Sequence, residues 1–166
     1  MYENILVPTD GSEAARAAVD QAVDIASKYG GRLHAVYVID IDATNVTLGT
    51  EQVERIKHGK IDEMPELKAR AVDATGYVAD VAADHGVDVE EHIRVGYPVR
   101  SIRRFVFAPE FFLGVFVDDH DVDLIVMGSH GRSGLSRVVL GSVAEKVLRQ
   151  THLPVLIVDV QHEEGG

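Results

Sequence analysis

Apolar segments of two kinds alternate along this chain of 166 residues, and that alternation leaves few folds open. Residues 4–8 form a short apolar run that ends at Thr9-Asp10-Gly11-Ser12. The next segment carries Ala15, Ala18, Val19, Ala22, Ile25, Ala26 and Tyr29 at helical spacing. Ser12 suits its N-cap, Glu13 its first turn, and Gly30-Gly31 its end. Residues 33–39 form a second strand-like run. A polar stretch from Asp40 to about Met64, with Gly49, Gly59 and Pro65 in or beside it, predicts a long loop with room for a short helix. Leu67, Ala71, Ala74, Val78, Val81 and Ala82 mark a second helix, closed by His85-Gly86. Residues 87–95 alternate as a partly buried strand does, and Pro98 can open a third helix at its first position. Residues 124–127 form a fourth strand, 138–149 a last helix and 155–158 a fifth strand. Strands alternating with helices imply right-handed crossovers, hence a mainly parallel, doubly wound α/β sheet. The length suits one domain, residues 1–166, with a sizeable core.

Composition narrows the chemistry. Hydrophobic residues make up 46% of the chain, too many for a disordered one. With no cysteine, disulfides, thiol catalysis and thiolate metal sites are excluded. The 27 acidic residues against 16 basic ones leave a net charge of −11, which disfavours nucleic acid and anionic membrane surfaces as partners. Lysine is scarce and Asp outnumbers Glu, as on proteins of salt-loving organisms; an ordinary acidic protein is the competing reading. The first residues carry no signal-type pattern, and no apolar run approaches the ~18 residues of a membrane span. The expected setting is cytoplasmic.

The chemistry-bearing stretch follows the fourth strand: Gly128-Ser129-His130-Gly131, then nine residues, then Gly141-Ser142. Glycines let backbone approach an anion, and N–H groups at a helix start point toward it. In doubly wound sheets, ligands bind beyond the carboxyl ends of the strands, where strand order reverses. If the first and fourth strands are neighbours there, Asp10 and the glycines face one crevice. Asp10 can then accept hydrogen bonds from a ribose or help hold Mg²⁺. The backbone around Gly131, Gly141 and Ser142 can wrap phosphates, with Ser142 and Val143 opening the last helix and Arg132 reaching a terminal phosphate. His130 can donate to phosphate or pack. Ser142 can equally serve as a plain helix cap. The spacing is neither the Walker A pattern nor the dinucleotide Gly-x-Gly-x-x-Gly.

These motifs resemble the ATP-binding type of the universal stress protein family. Gly128-x-x-Gly131, nine residues and Gly141-Ser142 match its nucleotide signature; Ile5-Leu6-Val7-Pro8-Thr9-Asp10-Gly11-Ser12 matches its opening. Leu124 through Gly131 and Pro154-Val155-Leu156-Ile157-Val158 match as well. The resemblance implies a five-stranded parallel sheet of order 3-2-1-4-5, and a homodimer formed by antiparallel pairing of the last strand, roughly residues 155–160. It also implies an ATP site, with Mg expected beside it. Pro8, Thr9 and Asp10 match positions beside adenine and ribose, and Val38 the position whose backbone reads the adenine edge. Met127 and Gly128 match the adenosine side, and His130, Gly131, Gly141, Ser142 and Val143 the phosphate side.

One segment departs from the family pattern. All five phenylalanines, Phe105, Phe107, Phe111, Phe112 and Phe116, fall within residues 103–116, which read as an insertion of about ten residues. The readings are a kinked extension of the third helix folded onto the sheet, a subunit or partner contact, and a peripheral membrane contact. Elsewhere, His85, Glu90, Glu91 and His92 read as a solvated surface rather than a metal site. Asp118, Asp119, Asp121 and Asp123 form a solvating acidic turn, without EF-hand spacing.

Three functions fit: an ATP-binding stress-response regulator acting through its nucleotide state, a slow ATP hydrolase or phosphotransferase, and a dimeric interaction module without a functional nucleotide. The second lacks an evident general base beyond Asp10 or His130, and no lysine lies in the glycine loop to neutralise phosphate.

Overall fold

The computed structural model describes residues 1–40, 49–57, 60–96, 120–130 and 140–160. Residues 97–119, with Pro98 and the phenylalanine-rich segment, and residues 131–139, with Gly131 and Arg132, lie outside the described residues. The strands are β1 (Asn4–Pro8), β2 (Arg32–Asp40), β3 (Val89–Gly96), β4 (Leu124–Gly128) and β5 (Val155–Val158). The α-helices are α1 (Glu13–Tyr29), α2 (Thr50–Lys57), α3 (Pro65–Ala83) and α4 (Ser142–Gln150), with a 3₁₀ turn at Ile61–Glu63. The strands form one sheet in the order β3-β2-β1-β4-β5, with every pairing parallel. This is the doubly wound arrangement expected from the sequence.

The sheet explains the unbroken apolar runs of its inner strands. Both faces of β1 and β4 are covered, so consecutive residues Ile5, Leu6 and Val7, and Leu124 through Met127, are all buried. Side chains alternate between the faces. Ile5, Val7, Leu33, Ala35, Leu124 and Val126 pack against Ala18, Val19, Ala22 and Val23 of α1 and Val78 and Ala82 of α3. Leu6, Val36, Ile125 and Met127 face the other way, onto Ala144 and Val147 of α4. Alanines on the inner stripe of α1 let the helix lie close to the sheet. The Ser12 hydroxyl caps that helix by accepting from the Ala15 N–H, and Gly30 ends it.

Several boundaries differ from expectation for identifiable reasons. The polar stretch after β2 holds α2 and the 3₁₀ turn. Helix α3 starts at Pro65, whose missing N–H costs nothing in a first turn. Strand β3 begins at Val89, because the Val87 N–H is committed to the Ala82 carbonyl at the end of α3. Helix α4 begins at Ser142, not at 138: Gly141 is its N-cap, and Ser142 is therefore not a cap. Among the described residues, no helix is long and apolar enough to cross a membrane.

The sheet also buries histidines. His92 was expected with Glu90 on a solvated surface, but it is only 6% exposed, and His34 only 3%. The cause is register: Glu90 pairs with His34 and His92 with Val36, so the face of β3 bearing His92 is the one that carries Leu6 and Val36. Burial, the leading cause, pushes both imidazoles below their ordinary value near 6.5. The Glu90 carboxylate opposes that shift at both. His120 reinforces it at both, joined by His92 and Arg32 at His34 and by Arg94 at His92. A base depressed in the folded state binds its proton more readily when unfolded. Stability therefore holds above pH 6.5 and falls as pH drops through the depressed values. Urea unfolding at pH 7.5 and 5.5 checks this. His34→Gln is expected to reduce the pH slope even if it lowers stability at both values.

Candidate functional site: the crest of β1, β4 and α4

Strands β1 and β4 are neighbours, with Ile5 opposite Leu124 and Leu6 opposite Ile125. They leave the sheet side by side, at the point where strand order reverses. The chain after β1 turns at once into α1. The Thr9 N–H reaches the Val36 carbonyl at 2.9 Å, its hydroxyl accepts from the Gly11 N–H at 3.2 Å, and the Asp10 carboxylate accepts from the Ser12 N–H at 2.9 Å. Gly11 takes the left-handed conformation, with φ of 75°, that this tight turn requires. Thr9 is buried, whereas Pro8 and Asp10 are half-buried at the rim.

Gly128 ends β4 where it meets the start of α1. A Cβ there would lie 2.8 Å from the Ala14 carbonyl carbon and 3.0 Å from the Ala15 nitrogen. Only a residue without a side chain lets β4 run this close to α1. Met127, just before it, is buried on the α4 face. Beyond β4, the Ser129 N–H bonds to the Val158 carbonyl at 2.8 Å, and the Gly141 N–H to the Ser129 carbonyl at 2.7 Å. The second bond sets the start of α4 beside the end of β4. At Gly141, an added Cβ would sit 3.1 Å from the His130 Cα. The α4 start has no side-chain cap, and Ser142 and Val143, its first residues, are exposed. The positive end of a helix dipole there is suited to an anion.

Val38 joins the same crest. Pairing of β1 with β2 ends at Pro8 opposite Val36, and β2 continues to Asp40. In a parallel ladder, the backbone groups of alternate residues face the same neighbour. The Val36 carbonyl faces β1, where it accepts from Thr9. The backbone of Val38 therefore turns the same edge toward the space past the end of β1.

Ser129, which the sequence marks only as part of the glycine stretch, has partners of its own. It is buried, donates to the Asp159 carboxylate at 2.7 Å, and lies 2.9 Å from His130 Nδ1. With its proton given to Asp159, the oxygen accepts from Nδ1–H, which leaves Nε2 of His130 as the ring's other polar atom. His130 and Asp159 are 3.8 Å apart. The hydroxyl thus stands between base and acid rather than at the end of a relay, so this is a positioning cluster and not a nucleophilic triad. The signal that could have found it is Asp159, one residue past the fifth strand and level with the fourth strand's end.

Residues 1–111 and 115–159 match the universal stress protein family. The chain belongs to that family. Universal stress protein MJ0531 of Methanocaldococcus jannaschii is 33% identical over 164 residues, covering 99% of this chain and 86% of the relative. The solved structure of MJ0577, from the same organism, superposes with a TM-score of 0.69 at 27% identity, covering 98% of this chain and 99% of that one. A universal stress protein solved in complex with cAMP superposes with a TM-score of 0.60 at 26% identity, covering 95% and 97% of the two chains.

Proposed function

We propose that this universal stress protein binds an adenine nucleotide, ATP with Mg²⁺, at the crest of β1, β4 and α4, and that it acts as a dimeric stress-response regulator through its nucleotide state. The observation that carries this reading is the convergence of three features on one edge of the sheet. They are the Thr9–Ser12 turn, the close approach at Gly128 and the uncapped start of α4. The cAMP complex of a relative supports an adenine ligand. Pro8, Thr9, Met127 and Gly128 flank the adenosine, and the Val38 backbone reads the adenine edge. Asp10 serves the ribose or Mg²⁺. His130, Gly131, Gly141, Ser142 and Val143 hold the phosphates, with Arg132 on the terminal one. The glycine loop brings no lysine, and Ser129 ties up one nitrogen of the His130 ring. Both features favour holding a nucleotide over turning it over. Mass spectrometry of nucleotide released from protein purified without added ligand tests this, the expected result being intact ATP. Finding ADP alone would favour the slow-hydrolase reading.

The dimer is proposed to form through β5. It is an edge strand, and Leu156 on it is 37% exposed. Edge strands offer unpaired backbone to a second copy, and a charge on them opposes that pairing. Leu156→Asp is expected to convert a dimer to a monomer by sedimentation analysis without unfolding the chain. An unchanged mass would place the subunit contact elsewhere.

A further inference from the structure

A second group of side chains lies away from the nucleotide crest, near the starts of the strands. His34 is the third residue of β2, Glu90 the second of β3 and His92 the fourth. His120 lies four residues ahead of β4. His34 Nδ1 and His92 Nε2 are 3.4 Å apart, and each is 3.7 Å from a different oxygen of Glu90. These ligand atoms all lie within 4.8 Å of one another. The His120 ring stands edge-on to both, its centroid 5.3 Å from that of His34 and 5.1 Å from that of His92.

We propose that His34, Glu90 and His92, with His120 beside them, bind a divalent transition-metal ion of the zinc type.

Three observations carry the assignment. The first is spacing. Bonds of about 2.0–2.1 Å to a tetrahedral ion put ligand atoms about 3.3–3.4 Å apart. The two imidazole nitrogens already have that separation, and each faces its own Glu90 oxygen at 3.7 Å, so a carboxylate spanning both has only a few tenths of an ångström to close on each side. The second is donor type. Two imidazoles and a carboxylate suit zinc and its neighbours, whereas calcium and magnesium take oxygen ligands. The third is orientation. His34 Nε2 lies 3.4 Å from the Asn4 side-chain oxygen, and the Asn4 amide nitrogen donates to the Asp121 carbonyl. That chain puts the His34 proton on Nε2 and turns the Nδ1 lone pair toward His92, the outer-shell arrangement that prepares a histidine ligand. It also ties the start of β1 to the turn that holds His120. Asp121 sits in that turn at φ 50°, and the Asp123 carboxylate accepts from the Glu3 N–H at 2.7 Å. Burial favours neutral rings at His34 and His92, the form a metal needs.

The test uses the full chain without a histidine tag, stripped with EDTA and desalted at pH 7.5. Co(II) is titrated as the spectroscopic probe, followed by Zn(II). The expected result is saturation at one Co(II) per chain, with the strong visible bands of a four-coordinate site, displacement by one Zn(II), and a raised melting temperature. Affinity is expected to fall as pH is lowered to 5.5, because protons compete for the rings. Glu90 is half-exposed, so Glu90→Gln leaves the core alone and is expected to weaken binding by about ten-fold or more, in line with losses at metal-site shells. His85→Gln and His152→Gln are expected to change nothing. The proposal is overturned if no saturable one-equivalent binding is seen. It is also overturned if Glu90→Gln binds as tightly as the native chain, or if the His85 and His152 changes carry the effect. The titration is run without nucleotide, so its outcome is independent of the nucleotide reading.

Discussion

Ile5→Ala is expected to cost about 2–5 kcal/mol of stability, the range for truncating a large aliphatic side chain in a closed core. Ile5 is completely buried on the central strand. It packs in the cluster that joins α1, α3, β2 and β4. Neighbours on four elements cannot all move in to fill the space, so the lost contacts and the cavity add. For a chain of this size, the melting temperature should fall by roughly 4–20 °C. Denaturant titration monitored by far-UV circular dichroism measures the change. A loss below about 1 kcal/mol would mean that β1 is not enclosed as described.

Gly141→Val is expected to weaken Mg-ATP binding at least ten-fold, about 1.4 kcal/mol, while the fold persists. The backbone at Gly141, φ −61° and ψ 155°, is ordinary extended geometry that valine adopts readily. What valine cannot do there is share space with His130, whose Cα would be 3.1 Å from the new Cβ. Its extra methyls must push either the His130 segment or the start of α4. Both belong to the proposed phosphate cradle. The hydrogen bond from Gly141 N–H to Ser129 is strained by the same movement. Titration calorimetry gives the affinity, and a far-UV spectrum matching the native one shows that the loss is local. Unchanged affinity would remove Gly141 from the phosphate side.

Much of this architecture is legible in the chain. The apolar runs of β1 and β4 are unbroken because both faces are covered, and the alanine stripe of α1 records how close that helix lies. The sequence singles out Gly128 and Gly141 as an anion cradle; that each also stands where another backbone comes within a side chain's reach is visible only in the structure. Boundaries were less legible. The starts of β3 and α4 depend on which carbonyl takes the Val87 N–H and on Gly141 serving as cap, which apolar periodicity does not record. Of the histidine cluster, the sequence shows Glu90 and His92 near each other but reads them as solvated surface, and it does not show His34 or His120 beside them. His34, His92 and His120 are far apart in sequence, and only the register of β2 against β3 puts the first two on one inner face. The role of Ser129 is hidden for the same reason, since its partner Asp159 arrives from just past β5.

Titration of nucleotide-free protein with Mg-ATP, read by calorimetry and by melting temperature, tests the nucleotide reading most directly. A ligand that binds only the folded state at 100 times its dissociation constant adds about 2.7 kcal/mol of stability. The expected result is saturable binding of one ATP per chain with a matching rise in melting temperature, both lost in Gly141→Val. The absence of both binding heat and thermal stabilisation at millimolar Mg-ATP would contradict the assignment of this crest as an adenine nucleotide site.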